Sequence, residues 1–494
     1  MKIKNPIIKG FYPDPSCCAA NGKYYLVCST MQFFPGVPIF ESEDLVNWKQ
    51  IGNCFTRDSQ VNLNRVSSSS GVFAPTIRYY DGVFYMTTTN NETGQNYYVS
   101  TSDIYGEWSE PIYVDQDGID PSFYFEDGRA FFMSNGSDDD GVHGVVQCEI
   151  DIKTGKKLSK SKTIWLGSGG RYLEGPHLYK INGRYYLVAA EGGTEYGHMV
   201  TYSVSDSIFG EYKGYPENPV LTNRNLGGYQ VQGVGHGDLV QDKSGSWWMV
   251  HLGFRQIDRW LTYHHLGRET FLTPVDFHED GWFTAGINGT TPIEFETDRL
   301  SEIIQEDKKL YTFENTDFDL EWCYLRNPKR ENYSLGKDCV TLLGTDVTLD
   351  DVDSPTFIGI RQKDFKAEIT CDVEVTGGEG GITLYMDENQ HYDIAIRKLD
   401  NGYEAISRLK IGEAVCIKNA VPLSGNNAKL KIVCDNYTYK FFLVGAEEIG
   451  LGWAQTKYLS TEVAGGFTGV FIALYATGSN TARFTDFEVK YLEG

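Results

Sequence analysis

Apolar and polar positions alternate along most of the chain, and the pattern restarts at intervals. Five segments open with Asn, Asp or Ser followed by Gly and continue as aromatic-rich, strand-like runs. They are Asn21-Gly22-Lys23-Tyr24-Tyr25-Leu26-Val27, Asp81-Gly82-Val83-Phe84-Tyr85-Met86, Asp127-Gly128-Arg129-Ala130-Phe131-Phe132, Asn182-Gly183-Arg184-Tyr185-Tyr186-Leu187 and Ser244-Gly245-Ser246-Trp247-Trp248-Met249. Each predicts a hairpin, because Gly supplies the positive φ of a tight turn and the aromatic residues suit a pleated surface. The glycines lie about 46 to 62 residues apart, near the length of one four-stranded blade. Asp44 to Trp48, Asp103 to Trp108 and Asp206 to Tyr212 read as outer turns of the same units. The expected fold is all-β, with a five-bladed β-propeller over residues 1–300.

Beyond Trp282 the repeat stops. Glu294 to Lys309, rich in acidic and basic residues, is expected as a surface linker. Runs of period two follow at 365–371, 381–386, 392–396 and 430–434, separated by Gly, Asn and Asp. They predict an antiparallel β-sandwich over residues 301–494.

Composition narrows the function. Lys and Arg number 44 against 67 Asp and Glu, a net charge of −23. A field of that sign repels phosphate backbones, so no nucleic-acid partner is expected. No run is long and apolar enough to predict a membrane helix, so no membrane partner is expected either. The opening Met1-Lys2-Ile3-Lys4-Asn5-Pro6 has no signal-like apolar stretch, and the expected location is cytoplasmic. The ten cysteines, with no CxxC among them, are then expected as free, mostly buried thiols. No metal-ligand spacing and no phosphate-binding glycine loop is present.

The repeat also supplies a register. Some eight or nine residues before each hairpin glycine stand Asp14, Ala74, Asp120, Glu174 and His236. If each preceding strand is the innermost of its blade, all five side chains face one axis. A single Asp-Pro is commonly turn chemistry. Acids at equivalent positions of separate repeats are different, because clustered carboxylates raise one another's pKa at a cost in stability. They point to a functional site.

At these residues the chain resembles glycoside hydrolase family 43. The resemblance is carried by Gly10-Phe11-Tyr12-Pro13-Asp14-Pro15-Ser16, Phe33-Phe34-Pro35-Gly36-Val37, Ala74-Pro75, Glu174-Gly175-Pro176-His177, Ala190-Glu191-Gly192-Gly193-Thr194, Gly235-His236-Gly237 and Leu266-Gly267-Arg268-Glu269-Thr270. It is closest to the two-domain β-xylosidases and α-L-arabinofuranosidases of that family, which implies a jelly-roll, concanavalin-like second domain. The resemblance implies Asp14 as general base, Glu174 as general acid and Asp120 as a third, ionised carboxylate that raises the pKa of the acid. It implies Arg268 as a pocket arginine, the alternative being a surface pair with Glu269. His236 matches a channel histidine that orients the site or lies near a cation, the alternative being a structural hydrogen bond. Phe33, Phe73 and Met31 are expected at the sugar-binding wall, with Phe34 better placed in the core. Met31, and Phe73 where relatives have Trp, depart from the family pattern and bear on specificity. Phe467, within Gly465-Gly466-Phe467-Thr468-Gly469, resembles an aromatic that reaches over the pocket mouth; an ordinary hairpin Phe is the alternative.

The function implied is an exo-acting, inverting hydrolase releasing terminal xylose from short β-1,4-xylo-oligosaccharides. An α-L-arabinofuranosidase, or both activities together, is the second reading, and a catalytically inactive sugar-binding propeller the third. A fructan-cleaving propeller would carry Arg-Asp-Pro and Glu-Cys, where this chain has Ile119-Asp120-Pro121 and Glu174-Gly175. The expected partner is a small oligosaccharide. The resemblance requires no cofactor, leaves room for calcium in the propeller channel, and implies a homo-oligomer, dimer or tetramer.

Overall fold

The computed structural model describes residues 2–300, 310–312, 318–479 and 481–492. Five four-stranded antiparallel sheets form the first region, each built from consecutive strands. Blade 1 runs outward through Ser16–Ala20, Lys23–Val27, Gly36–Ser42 and Lys49–Phe55. The innermost strands of blades 2 to 5 are Thr76–Tyr80, Ile119–Glu126, Glu174–Ile181 and Val231–Gln241. Each inner strand neighbours the next, and that of blade 5 returns to blade 1, closing a five-bladed propeller. All five Asx-Gly or Ser-Gly signals lie at the turn between the first and second strands of a blade. The aromatic residues after them pack between blades, for example Tyr25 edge-on to Phe84 and Tyr85 edge-on to Phe123.

The ring is fastened near its start. Asn5 donates its side-chain amide to Leu272 O and accepts from Leu272 N, both at 3.0 Å, which pins the entering chain to blade 5. Lys2–Lys4 pairs antiparallel with Glu294–Glu296. The expected linker therefore begins as a strand, because its charged residues alternate with the buried Phe295. The rest of that linker, and with it the boundary at 300/301, falls largely outside the described residues.

The second region is a concanavalin-like sandwich of two eight-stranded sheets. Alternation is clean in Ala367–Val375, whose odd-numbered residues enter the core. One sheet continues into the propeller: Phe33–Phe34 pairs with Cys323–Leu325 as its last strand. Around this seam Phe11, Met31 and Phe33 share a core with Phe357, Tyr385 and Phe471. No described helix is long and apolar enough to cross a membrane. All ten cysteines carry free thiols, and all but Cys339 and Cys416 are buried.

Candidate active site

The inner strands deliver their side chains to the pocket through a shared distortion. Asp14, Asp120 and His236 have φ of 53°, 54° and 51°, and Gly175 has 57°. Positive φ is uncommon for residues with a Cβ. Here it interrupts the strand just where the chain meets the axis. In blades 3, 4 and 5 the pairing register shifts at these positions, between Ile119 and Ser122, Glu174 and His177, and Gly235 and Asp238. A bulge of this kind re-aims a side chain that regular pleating would turn away. As a result Asp14, Ala74, Asp120, Glu174 and His236 all line one pocket, completed by Met31, Phe73, Ile119, Thr194, Arg268 and Phe467. The space among these residues, about 370 Å³, opens to solvent.

Arg268 is buried and donates to Asp14 Oδ1 at 2.9 Å and to Thr194 Oγ1 at 3.0 Å. Its sequence neighbour Glu269 pairs instead with Arg255, so the surface pair with Glu269 does not form. Ser29 donates its hydroxyl to the second Asp14 oxygen, and His236 Nδ1 lies 3.9 Å from Asp14 Oδ1. Burial alone would raise the Asp14 pKa, but Arg268, His236 and Ser29 outweigh it and hold the carboxyl below its usual value. Asp120 accepts one bond, from Gly175 N at 3.1 Å. Asp120 and Glu174 are both raised to about 7, chiefly by burial. The nearby Asp14 charge adds to the rise in each case, whereas His236 opposes it. This corrects one expectation. The ionised carboxylate acting on Glu174 is Asp14, and Asp120 titrates alongside Glu174 because too few cations reach it.

The wall departs from expectation at one residue. Phe33 is fully buried, stacked on Phe471 with ring centroids 3.8 Å apart, and lies outside the pocket. Its pairing with the sandwich strand turns it into the seam between the two regions. Phe34 is buried beside it in the propeller core. Met31 and Phe73 do line the pocket, as does Phe467, which enters from the sandwich. Phe467 meets Phe73 edge-on at 6.5 Å, lies under the Arg268 guanidinium at 5.6 Å, and is fixed by its N–H to Ser69 Oγ at 2.8 Å.

Three further residues take part in the site. Ser29 and Thr194 hold Asp14 and Arg268; Thr194 falls within a motif shared with the family, and Ser29 does not. His198 lies beside Glu174 and is fully buried. Burial pushes its imidazole down to about 4, so the ring is neutral.

Around Asp238 the channel below the pocket offers no free carboxylate for a calcium ion. Arg78 occupies the channel there, donating to both oxygens of Asp238 at 2.8 and 3.0 Å and to His177 Nδ1 at 3.0 Å. Ser16, the Cys17 N–H and the Tyr179 hydroxyl donate to the same carboxylate. Calcium takes six to eight oxygens, waters among them, and the two of Asp238 are already committed to a guanidinium. Among the described residues no group of three or more His, Cys, Asp or Glu side chains is arranged to hold a metal.

Comparison with known proteins agrees with this geometry. Residues 3–283 match the family described as Glycosyl hydrolases family 43, and residues 311–490 match the β-xylosidase C-terminal concanavalin A-like domain. A non-reducing end α-L-arabinofuranosidase of Bacteroides ovatus is 38% identical, over 99% of this chain and 95% of its own. A xylosidase/arabinosidase of Butyrivibrio fibrisolvens is 35% identical over 98% of both. Among solved structures, a xylan β-1,4-xylosidase from Bacillus halodurans superposes with a TM-score of 0.92 at 30% identity, over 99% of this chain and all of the other. With both domain matches and relatives of this identity over nearly the whole length, the chain belongs to glycoside hydrolase family 43, a family of inverting glycosidases.

Proposed function

We propose that the enzyme removes single terminal β-xylosyl residues from short xylo-oligosaccharides, with inversion, and accepts terminal α-L-arabinofuranosyl residues on the same machinery. The observation that carries this is the division among the three pocket carboxyls: Asp14 is held ionised while Glu174 keeps its proton to near neutrality. Inverting hydrolysis needs that pair. Asp14 takes a proton from water as the water oxygen bonds to the anomeric carbon. Glu174 gives its proton to the glycosidic oxygen, which leaves with the electron pair of the broken C–O bond. Asp120, buried beside Glu174 and titrating with it, meets sugar hydroxyls. Enzymes of this family generally need no cofactor, and these steps use only carboxyls and water.

The pocket, walled by Arg268, Thr194 and Phe467, supports exo action, since it offers room for one terminal sugar. The arabinofuranosyl reading is favoured by Phe73, a smaller aromatic where xylosidases carry Trp, and by the name of the Bacteroides ovatus relative. Ten unpaired thiols, one of them the exposed Cys416, support residence in a reducing compartment such as the cytoplasm. The test is hydrolysis of nitrophenyl β-xyloside and nitrophenyl α-L-arabinofuranoside side by side, with the first-formed anomer read by proton NMR. Release of α-xylose from the β-xyloside is expected. Release of β-xylose, or sugar binding without hydrolysis of either substrate, refutes the proposal.

A further inference from the structure

His198 stands immediately before the blade 4 strand Met199–Ser205 and is fully enclosed. Its Nδ1 lies 3.1 Å from the Gly233 carbonyl oxygen. A carbonyl can only accept, so Nδ1 carries the ring hydrogen and Nε2 presents a bare lone pair. That nitrogen is buried without a hydrogen-bond partner, and the atom it faces is Glu174 Oε1 at 3.6 Å. A buried acceptor left unpaired is costly. Catalytic contacts in substrate-free sites are often slightly long and tighten later. The ring has space only because residue 235 is glycine: a Cβ there would lie 2.4 Å from His198 ring atoms. The charged or titratable groups around the imidazole are Glu174, Arg268, Asp14 and His251.

The geometry points to His198 as a positioning residue for the acid: its bare Nε2 accepts the Glu174 O–H, fixes the rotation of the carboxyl and favours its protonated form. The inference rests on the reading of Glu174 as general acid. An ionised Glu174 would set an oxygen lone pair against a nitrogen lone pair, whereas the protonated carboxyl turns that repulsion into a hydrogen bond. Burial helps by keeping the ring neutral, since an imidazolium would stabilise the carboxylate instead. The proton stays on Glu174, held in place by His198 and never transferred to it, until the glycosidic oxygen takes it.

The experiment uses the full-length enzyme and two aryl β-xylosides, one with a poor phenolic leaving group and one with dinitrophenolate, which departs without acid help. For His198→Leu, kcat/KM on the poor leaving group is expected to fall about tenfold or more, with little loss on the good one. Its basic pH limb should move down by about one unit. His198→Gln, whose amide oxygen can accept the same O–H, should restore most of both. Equal losses on the two substrates with an unmoved basic limb overturn the inference, as does full activity of the leucine variant. Glu174→Ala run in parallel separates the two readings: without steep leaving-group dependence, the assignment of the acid fails first. Should the leucine variant not fold, nitrogen-15 histidine NMR of the wild-type enzyme decides. A neutral ring with hydrogen on Nδ1 near neutral pH is expected; hydrogen on Nε2, or an imidazolium, refutes it.

Discussion

Two clusters of acids in the molecule are built in opposite ways. In the sandwich, Asp350, Glu379 and Asp393 meet His391, Arg408 and Lys410. His391 bonds Asp393 and Asp350 with its two ring nitrogens, each at 2.9 Å. Arg408 spans Asp393 and Glu379, with Tyr475 donating to Glu379 at 2.6 Å, and Lys410 reaches Asp350 at 3.2 Å. Three acids face three cations. In the pocket, Asp14, Asp120 and Glu174 share one arginine, Arg268, and the neighbouring His236. The consequences diverge. Asp393 is held far below its ordinary range despite burial, whereas Asp120 and Glu174 are driven above theirs by it. A saturated network uses its charges to hold neighbouring strands of one sheet together. An undersupplied one leaves a carboxyl able to give up a proton near neutrality, which is what a general acid requires.

The sharpest break of this comparison is a pair of alanine substitutions. Asp14→Ala should lower kcat on either nitrophenyl glycoside by about 10³-fold or more per folded molecule, although it also costs stability by leaving the buried Arg268 without its carboxylate. Asp393→Ala should act through stability alone, because it removes the fully buried carboxylate that His391 and Arg408 share and leaves them only Asp350 and Glu379. The expected loss is about 3–5 kcal/mol of stability, with activity falling only as the folded fraction falls. Denaturant unfolding and initial rates on both variants check this. Near-normal turnover in Asp14→Ala would remove the base from the mechanism.

Both clusters should lose stability as pH rises, in different windows and for different reasons. Burial alone would lower the His391 pKa, but Asp393 and Asp350 outweigh it and raise it to about 9, above the ordinary value near 6.5. Its contribution is then fully present below about pH 6.5 and lost as pH rises to about 9. The loss is at most on the order of 3 kcal/mol. His391→Gln should be less stable than wild type at pH 6 and converge with it above pH 9, as read by denaturant midpoints.

Glu174 carries the smaller effect, and its cost is felt at neutral to alkaline pH. Its pKa is raised from 4.5 to about 7, so its ionisation penalises the fold progressively across that window and fully above it. Glu174→Gln removes the penalty. The variant should unfold with wild type near pH 4 but gain about 1–2 kcal/mol at pH 8, while losing activity throughout. Equal stability at pH 8 would mean that the carboxyl is better solvated than the pocket geometry implies.

Much of this arrangement is legible from residue order, for a definite reason. A blade is local: its four strands are consecutive, so the Asx-Gly turns and the register of Asp14, Ala74, Asp120, Glu174 and His236 survive in linear spacing. What escapes is contact between distant segments. Nothing near Phe33-Phe34 reveals that a strand some 290 residues later will pair with it, so Phe33 reads as pocket wall when it is the seam. The start of the supposed linker, Glu294–Glu296, hides its partner at Lys2–Lys4 in the same way. His198 belongs to no motif, and only folding brings its Nε2 to the acid. The protonation of Asp120 depends on how many cations reach it, a count that exists only in three dimensions.

Phe467 is where the two regions meet the substrate together, and it gives the finest test. The side chain comes from the sandwich, yet it lines the propeller pocket and remains 41% exposed. Truncation should therefore cost little stability. Its backbone carbonyl accepts from Arg268 at 3.3 Å, and alanine keeps that carbonyl. Arg268 also stays anchored on Asp14 and Thr194. What disappears is the aromatic face at the pocket mouth, worth about 1 kcal/mol of sugar contact. Phe467→Ala is thus expected to raise KM for the xyloside about fivefold with kcat nearly unchanged. The xyloside-to-arabinofuranoside ratio should drift as the wall opens. A fall in kcat comparable to that of Asp14→Ala would give a different result: the ring would be holding Arg268 in register, and the sandwich would take part in setting the charge on the base.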